Sequence, residues 1–125
     1  MNIRKIAVIV SLLAVLLAGT VLSAGAVTPM HVTNFQLSYL SGQTRAHLRV
    51  LDALNRPVAG AKVQISFEKD GLPTIFRYGT TGLYGWTAMS AALPAGQWVV
   101  CVEEIHKLGY DYNPLNNLCS SISVP

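Results

Sequence analysis

Hydrophobic and polar residues alternate along several stretches of the chain. Within the stretch from Gln43 to Asp52, the apolar residues Ala46, Leu48 and Val50 alternate with polar ones, and the same period runs over residues 62–68. A period of two places successive side chains on opposite faces of an extended strand. The pattern therefore predicts two β-strands, each with one buried and one solvent-facing side, and neither strand needs a bulge.

Turn-forming residues divide the rest of the chain into further short strands. Ser41-Gly42, residues 55–57 and residues 69–73 contain the Gly, Pro, Asn and Asp types that set turns. The other predicted strands cover residues 35–39, 74–78, 86–91, 97–105 and 120–124. About seven short strands, with no helical stretch after the first 26 residues, favour an all-β antiparallel sandwich.

The first 26 residues have the pattern of a secretory leader. Arg4 and Lys5 precede an apolar run over residues 6–18, and small residues follow up to Ala26. This predicts a signal helix over residues 1–26, cleaved after Ala26 or shortly before it, and a single sandwich domain over residues 27–125. An uncleaved anchor is the alternative, because residues 6–27 carry no charge and approach the roughly 20 residues that span a bilayer.

The balance of basic and acidic residues argues against nucleic acid as a partner. The whole chain has nine Lys and Arg against six Asp and Glu, but without Arg4 and Lys5 the balance is seven against six. That balance gives no basic footprint for nucleic acid. Arg45, Arg49 and Arg56 lie close together in the sequence. A solvated strand face and turn is the favoured explanation for them, and an anion-binding patch is the alternative.

The two cysteines are predicted to form a disulfide. In the strand predicted at 97–105, the apolar residues at even positions share one face, which places Cys101 on the other. Ile122 and Val124 likewise place Cys119 on the outer face of the last strand. If these strands are antiparallel neighbours, an exported chain would oxidise the pair, with a stabilisation of roughly 3 kcal/mol. The alternatives are two unpaired thiols, or Cys101 buried beside Val99.

Four segments together resemble a known family. Residues 52–63 follow the pattern Asp-x-x-x-x-Pro-Val-x-Gly-Ala-x-Val, and residues 80–86 form a Thr-rich, Gly-containing turn. Residues 93–102 and 109–117 complete the set. In this order they resemble the bacterial Ig-like (carboxypeptidase-regulatory-like) β-sandwich domains of secreted and cell-surface proteins. The resemblance covers about residues 32–124 and departs from the family at Leu83 and Tyr84, where polar residues are usual.

Residues with catalytic or metal-binding potential are few and scattered. His31, His47 and His106 fall in separate segments, and no zinc-site spacing occurs. Glu103 and Glu104 are adjacent, so on a strand they point to opposite faces. Glu104 is at an even position of its predicted strand, like the inward-facing Trp98, Val100 and Val102. Since a carboxylate is not expected in the core, we predict that Glu104 lies past the edge of the sheet, where the core ends. We therefore expect a non-enzymatic chain with no metal and no cofactor.

A binding or structural role fits this pattern best. The expectation is a secreted or cell-surface module, or a periplasmic one, whose partner is a protein or a glycan and possibly a second copy of itself. No nucleic acid is expected, and a membrane only if the leader is retained. Alternatives are a self-assembling subunit of a surface filament or layer, and a carbohydrate- or peptide-binding accessory domain. Aromatic residues that can provide the binding surface are Tyr84, Trp86, Tyr110 and Tyr112. For Tyr110 and Tyr112 the favoured explanation is that they cap the core or bond to nearby backbone, and a recognition surface is the alternative.

Overall fold

The computed structural model describes residues 27–125, so the predicted signal helix and its cleavage site lie outside the described residues. The described part consists of β-strands and one short 3-10 turn at Pro114–Asn116. No helix in residues 27–125 has the length and apolar character needed to cross a membrane. The strands are β1 (Thr28–Leu40), β2 (Gln43–Asp52), β3 (Lys62–Glu68), β4 (Ile75–Thr80), β5 (Trp86–Ala91), β6 (Gly96–His106), β7 (Tyr110–Asp111) and β8 (Cys119–Val124).

The strands form two four-stranded sheets. One sheet has the order β5-β2-β1-β7, and the other has the order β4-β3-β6-β8. All pairings are antiparallel except that of β1 with the short β7. The inward sides of both sheets supply one hydrophobic core, in which Trp98, Phe67 and Leu48 are the largest fully buried side chains. The predicted all-β sandwich is thus confirmed at the level of two packed sheets.

Strand β1 extends further than the sequence pattern predicts. It begins at Thr28 and carries a bulge between Thr33 and Gln36, where Asn34 has a φ of 54°. Met30 and Val32 face the core before the bulge, and Phe35 and Leu37 pack against it after the bulge. The extra residue changes the inward positions from even to odd and so breaks the alternation. The sequence pattern therefore does not predict the first half of the strand.

Strand β6 also contains a bulge, and it corrects the prediction for Glu104. Gln64 of β3 lies opposite Glu104, whereas Ile65 lies opposite Val102, so Glu103 is the extra residue. Glu104 is exposed within the strand, and Ile105 returns to the core with 5 % exposure. The prediction that Glu104 lies past the sheet edge is wrong, because the bulge reverses the inward parity inside the strand.

The cysteine prediction is confirmed. Cys101 of β6 and Cys119 of β8 lie directly opposite each other in the antiparallel register and form a disulfide. Their Cα atoms are 4.1 Å apart, as expected for a pair of residues that do not exchange backbone hydrogen bonds. No free cysteine remains in residues 27–125. The disulfide joins the edge strand of the second sheet to its partner strand β6.

The turn after β2 is organised by one carboxylate. Asp52 accepts hydrogen bonds from the backbone N–H groups of Leu54 and Arg56, each at 2.9 Å, and from Arg56 Nε at 3.0 Å. Asn55 adopts a positive φ of 62° within the same turn. The first residues of the segment 52–63, one of the four that resemble the family, therefore form a turn closed by Asp52.

Candidate functional site

Cationic and aromatic side chains meet on the outer face of the first sheet. Ala46, Leu48 and Val50 of β2 are fully buried, so the residues between them point away from the core. Across the sheet, Arg49 lies opposite Trp86 of β5. We define the Trp86 face by five residues at this place: Arg45, His47, Arg49, Tyr84 and Trp86.

The indole ring of Trp86 lies among side chains of β2. Its centroid is 5.8 Å from the imidazole centroid of His47, with an interplanar angle of 46°. The guanidinium carbon of Arg49 is 5.7 Å from the same indole centroid, within the range of a cation–π contact. Trp86 nevertheless keeps 40 % of its surface exposed. The ring is therefore held in place on one side and still available to a partner.

A tight turn before β5 positions Tyr84 and Trp86. Gly85 has a φ of +84°, and a Cβ on it would lie 2.6 Å from the carbonyl oxygen of Val50. The Gly85 carbonyl accepts a hydrogen bond from Val50 N at 2.8 Å, and Arg49 Nε donates to the Tyr84 carbonyl at 2.8 Å. The turn thus rests on the backbone of β2, which brings Trp86 into register with Arg49 and leaves the Tyr84 side chain 67 % exposed.

The face is open and positively charged. Arg45, His47, Trp86, Thr87 and Ala88 line a shallow depression of about 450 Å³. The only carboxylate on β2 or β5 is Asp52, and it is bound to Arg56 in the turn beyond the strand. Since Arg45 and Arg49 have no acidic neighbour on these two strands, the surface is suited to a negatively charged partner.

The arginine cluster noted in the sequence divides in the structure. Arg45 and Arg49 stay together on the Trp86 face, whereas Arg56 pairs with Asp52 in the β2–β3 turn. His47, which falls in a segment of the sequence apart from the other histidines, lies in the structure beside the indole. The residues of the Trp86 face come together because β2 pairs with β5. This pairing joins residues 35 or more positions apart in the sequence, so no pattern within one strand reveals it.

The four aromatic residues predicted for a binding surface do not gather at one place. Tyr84 and Trp86 lie together at the β5 edge of the first sheet, whereas Tyr110 belongs to β7 at the opposite edge. Tyr112 follows β7 in the chain and is buried, with 8 % exposure. Only the first pair therefore shares a surface with the arginines.

Tyr110 and Tyr112 have partners within the domain. The ammonium group of Lys107 lies 5.6 Å from the ring centroid of Tyr110, which is half-buried against the core. The hydroxyl of Tyr112 donates to Asn117 Oδ1 at 2.6 Å. Burial raises the pKa of the Tyr112 hydroxyl because the charged phenolate would lose its water. These contacts fix the segment between β6 and β8.

Other polar groups of the described region lie away from the Trp86 face. Glu103 accepts a hydrogen bond from the buried Ser66 hydroxyl at 2.6 Å. Glu104 and His106 line a smaller depression of about 240 Å³ together with Lys62 and Tyr78. Within residues 27–125, no three His, Cys, Asp or Glu side chains are grouped so that they could hold a metal ion. The Trp86 face is the group with the clearest capacity for recognition.

Comparison with known proteins gives no functional assignment for this chain. No protein-family model, no curated protein and no solved structure matches the chain. The features that bear on function are therefore the Trp86 face, the order of the strands and the disulfide.

Proposed function

We propose that this chain is a non-enzymatic, exported immunoglobulin-like module that binds an anionic polysaccharide through the Trp86 face. One observation carries the proposal: an exposed indole lies within 6 Å of both an imidazole and a guanidinium group, on strands with no free carboxylate. The indole provides a flat apolar surface for a sugar ring. The guanidinium groups of Arg45 and Arg49 provide donors for carboxylate or sulfate oxygens.

The shape of the site favours a polymer. The depression beside Trp86 is open along the sheet and does not enclose a small molecule, as a typical small-ligand pocket does. Arg45 and Arg49 are four residues apart on one face of β2. This spacing is about 13 Å along a strand, which corresponds to more than one sugar unit of an extended chain.

The immunoglobulin-like assignment is supported by strand order. The first, second and fifth strands share one sheet, and the third, sixth and last strands share the other. Immunoglobulin-type sandwiches distribute their A, B, E and C, F, G strands in the same way. The fourth strand differs from the constant-type arrangement because it pairs with the third strand. The turn pattern over residues 52–63 adds the resemblance to bacterial Ig-like domains.

Export is supported by two independent features. The pattern of residues 1–26 is that of a secretory leader. The Cys101–Cys119 disulfide is of the kind that persists in oxidising compartments such as the periplasm and the cell exterior. A cell-surface or periplasmic location would also expose the Trp86 face to the acidic polysaccharides of a cell envelope or of its surroundings.

Binding to polymers of different charge tests the proposal. Affinity electrophoresis would compare a polyuronate, a sulfated polysaccharide and a neutral glucan, with the unmodified protein and the variants Trp86→Ala and Arg45→Ala. We expect retardation by an acidic polymer alone, and at least a tenfold weaker affinity in each variant. Tyr78→Ala is the matched control, because Tyr78 is 71 % exposed but lies on β4 of the other sheet.

Several results would reject this function. Equal retardation by the neutral glucan would show that charge plays no part in recognition. Unchanged affinity in Trp86→Ala and Arg45→Ala, or an equal loss in Tyr78→Ala, would place binding elsewhere. If none of the polymers binds but an acidic peptide does, the Trp86 face recognises protein, and the polysaccharide assignment is wrong.

A further inference from the structure

The strand edges at the two seams of the sandwich are linked in different ways. At the β4–β5 seam the sheets approach closely, since a Cβ on Gly79 would lie 2.5 Å from Thr87 Oγ1. Arg77 Nε also donates to the carbonyl of Ser90 across this seam, at 3.2 Å. The free edges of β4 and β5 are therefore turned toward each other and linked by a side chain, which leaves little room for an added strand.

At the opposite seam β8 contacts β1, but the two strands are not paired. Strand β8 pairs only with β6, and in residues 27–125 no backbone hydrogen bond joins its other edge to a second strand. The Leu118 carbonyl accepts from Val102 N at 2.8 Å, so alternate residues from Leu118 onward bond to β6. The N–H and C=O groups of Cys119, Ser121 and Ser123 then point outward, and all three residues are exposed.

Strand β8 lacks the features that usually protect an edge. Natural edge strands carry charged residues, proline or bulges that prevent pairing with another chain. Residues 119–124 contain no charged residue and no proline, and their register with β6 is continuous from Val124 to Cys119. Strand β1, at the same seam, is protected by the bulge at Asn34 and by β7 at its start.

We infer that β8 is a self-association edge, on which the β8 strand of a second copy of this chain adds in antiparallel orientation. A twofold axis at Ser121 places Ser121 opposite its own copy and Cys119 opposite Ser123. The outward groups of the two strands then form about six backbone hydrogen bonds. Because the strand has no charge, this pairing sets no like charges against each other, and the outer side chains that meet are small.

The geometry closes after two copies. The pair forms one continuous sheet in which the two β8 strands are central and both ends are β4 strands. At each end of this sheet, β4 lies close to β5 of the other sheet and is linked to it by Arg77. A further strand therefore has little room to add to β4, and the sheet ends there. A twofold contact of this type uses the same surface on both partners and gives a dimer, not a filament. This inference stands independently of the polysaccharide proposal, because the Trp86 face lies on the other sheet.

Sedimentation of the purified protein, in the form in which cells produce it, tests the pairing. We expect a dimer whose population rises with concentration. Ser121→Lys sets two ammonium groups opposite each other at the axis and should weaken dimerisation at least tenfold. Ser90→Lys is the matched control, with the same change on an exposed serine of β5. A protein that stays monomeric at about millimolar concentration, or a dimer that persists in Ser121→Lys, overturns the inference.

Cross-linking locates the axis directly. Residues of an antiparallel hydrogen-bonded pair have Cα atoms about 5.5 Å apart, a distance that suits a disulfide. Ser121→Cys should therefore form a covalent dimer under mild oxidation, reversed by reductant, whereas Ser90→Cys should not. Equal cross-linking of the two variants would show random collision, and species larger than a dimer would show an open assembly. Either result contradicts the twofold pairing.

Discussion

Asp52 combines burial with three hydrogen bonds, and this makes it a titratable support of the fold. Its side chain is 5 % exposed and lies against the backbone and guanidinium of Arg56. The backbone N–H of Arg56 lowers the pKa of this carboxyl most strongly, against the opposing effect of burial, and the Leu54 N–H and the Arg56 side chain lower it further. The folded domain therefore favours the ionised form.

The lowered pKa predicts a loss of stability in acid. The ionised carboxylate stabilises the fold at pH values above the unfolded-state pKa of about 3.9. This contribution is lost as the pH falls below that value and through the folded-state pKa. Thermal unfolding from pH 7 to pH 2 should show a lower midpoint for Asp52→Asn at neutral pH, with the difference shrinking below about pH 4. Asp70→Asn, in an exposed turn, is the control; a constant difference for Asp52→Asn would contradict the assignment.

The two tryptophans should respond differently to the same substitution. Trp98 is fully buried and its Nε1 donates to the Pro94 carbonyl at 2.8 Å, whereas Trp86 is exposed. Trp98→Phe leaves that carbonyl without its donor and leaves a void, which should cost about 1–3 kcal/mol of unfolding free energy. Trp86→Phe should change it by less than about 0.5 kcal/mol. Denaturant titration measures both, and equal effects would show that Trp98 does not anchor the core.

Among the structural elements, the turn before β5 controls the position of the Trp86 face. Gly85 and Gly42 both have a positive φ, but only Gly85 has a neighbour in the place of a Cβ, the Val50 carbonyl. Gly42→Ala should therefore cost about 1–2 kcal/mol for conformation alone. Gly85→Ala should cost more and should also weaken the proposed polysaccharide binding, because the turn must move away from β2. Similar unfolding free energies for the two variants would show that the close approach of the Val50 carbonyl to Gly85 does not add to the cost of a side chain at position 85.

Strands with uninterrupted alternation were predictable from the sequence. The predicted bounds of β2, β3 and β5 agree with the structure, because each keeps one inward parity from end to end. The first half of β1 and the place of Glu104 were not predictable by the same rule. Each lies beside a bulge, at Asn34 and Glu103, and one extra residue changes which positions face the core.

The candidate site was only partly predictable, since it depends on which strands become neighbours. Trp86 and Tyr84 were recognisable as aromatic residues near a turn, and Arg45 and Arg49 as outward charges. Their proximity follows from the β2–β5 register, which a single-strand pattern does not contain. The disulfide was predictable because the outward parity of Cys101 and Cys119 restricted how the two could meet.

At the scale of the whole molecule, the two proposed surfaces are compatible. The Trp86 face lies at the β5 end of the first sheet, near the β4–β5 seam, while β8 lies at the opposite seam. A β8-linked dimer would therefore leave two Trp86 faces free. Two sites on one rigid body bind a polymer with a higher effective concentration than one site does. Such a dimer would hold an acidic polysaccharide more firmly than its monomer, without any new contact.

The mass of the protein recovered from its own cells tests the proposed compartment. A leader removed after Ala26 leaves a chain that begins at Val27, and the disulfide makes that chain two hydrogens lighter than its reduced form. We expect this mass by intact-protein spectrometry, together with an increase after reduction and alkylation of two thiols. The leader pattern of the sequence and the disulfide support the proposed export independently, since such a pattern is typical of exported chains and a structural disulfide persists in an oxidising compartment. A mass that includes Met1 would favour the membrane-anchor alternative, whereas alkylation of both cysteines without reduction would contradict export to an oxidising compartment.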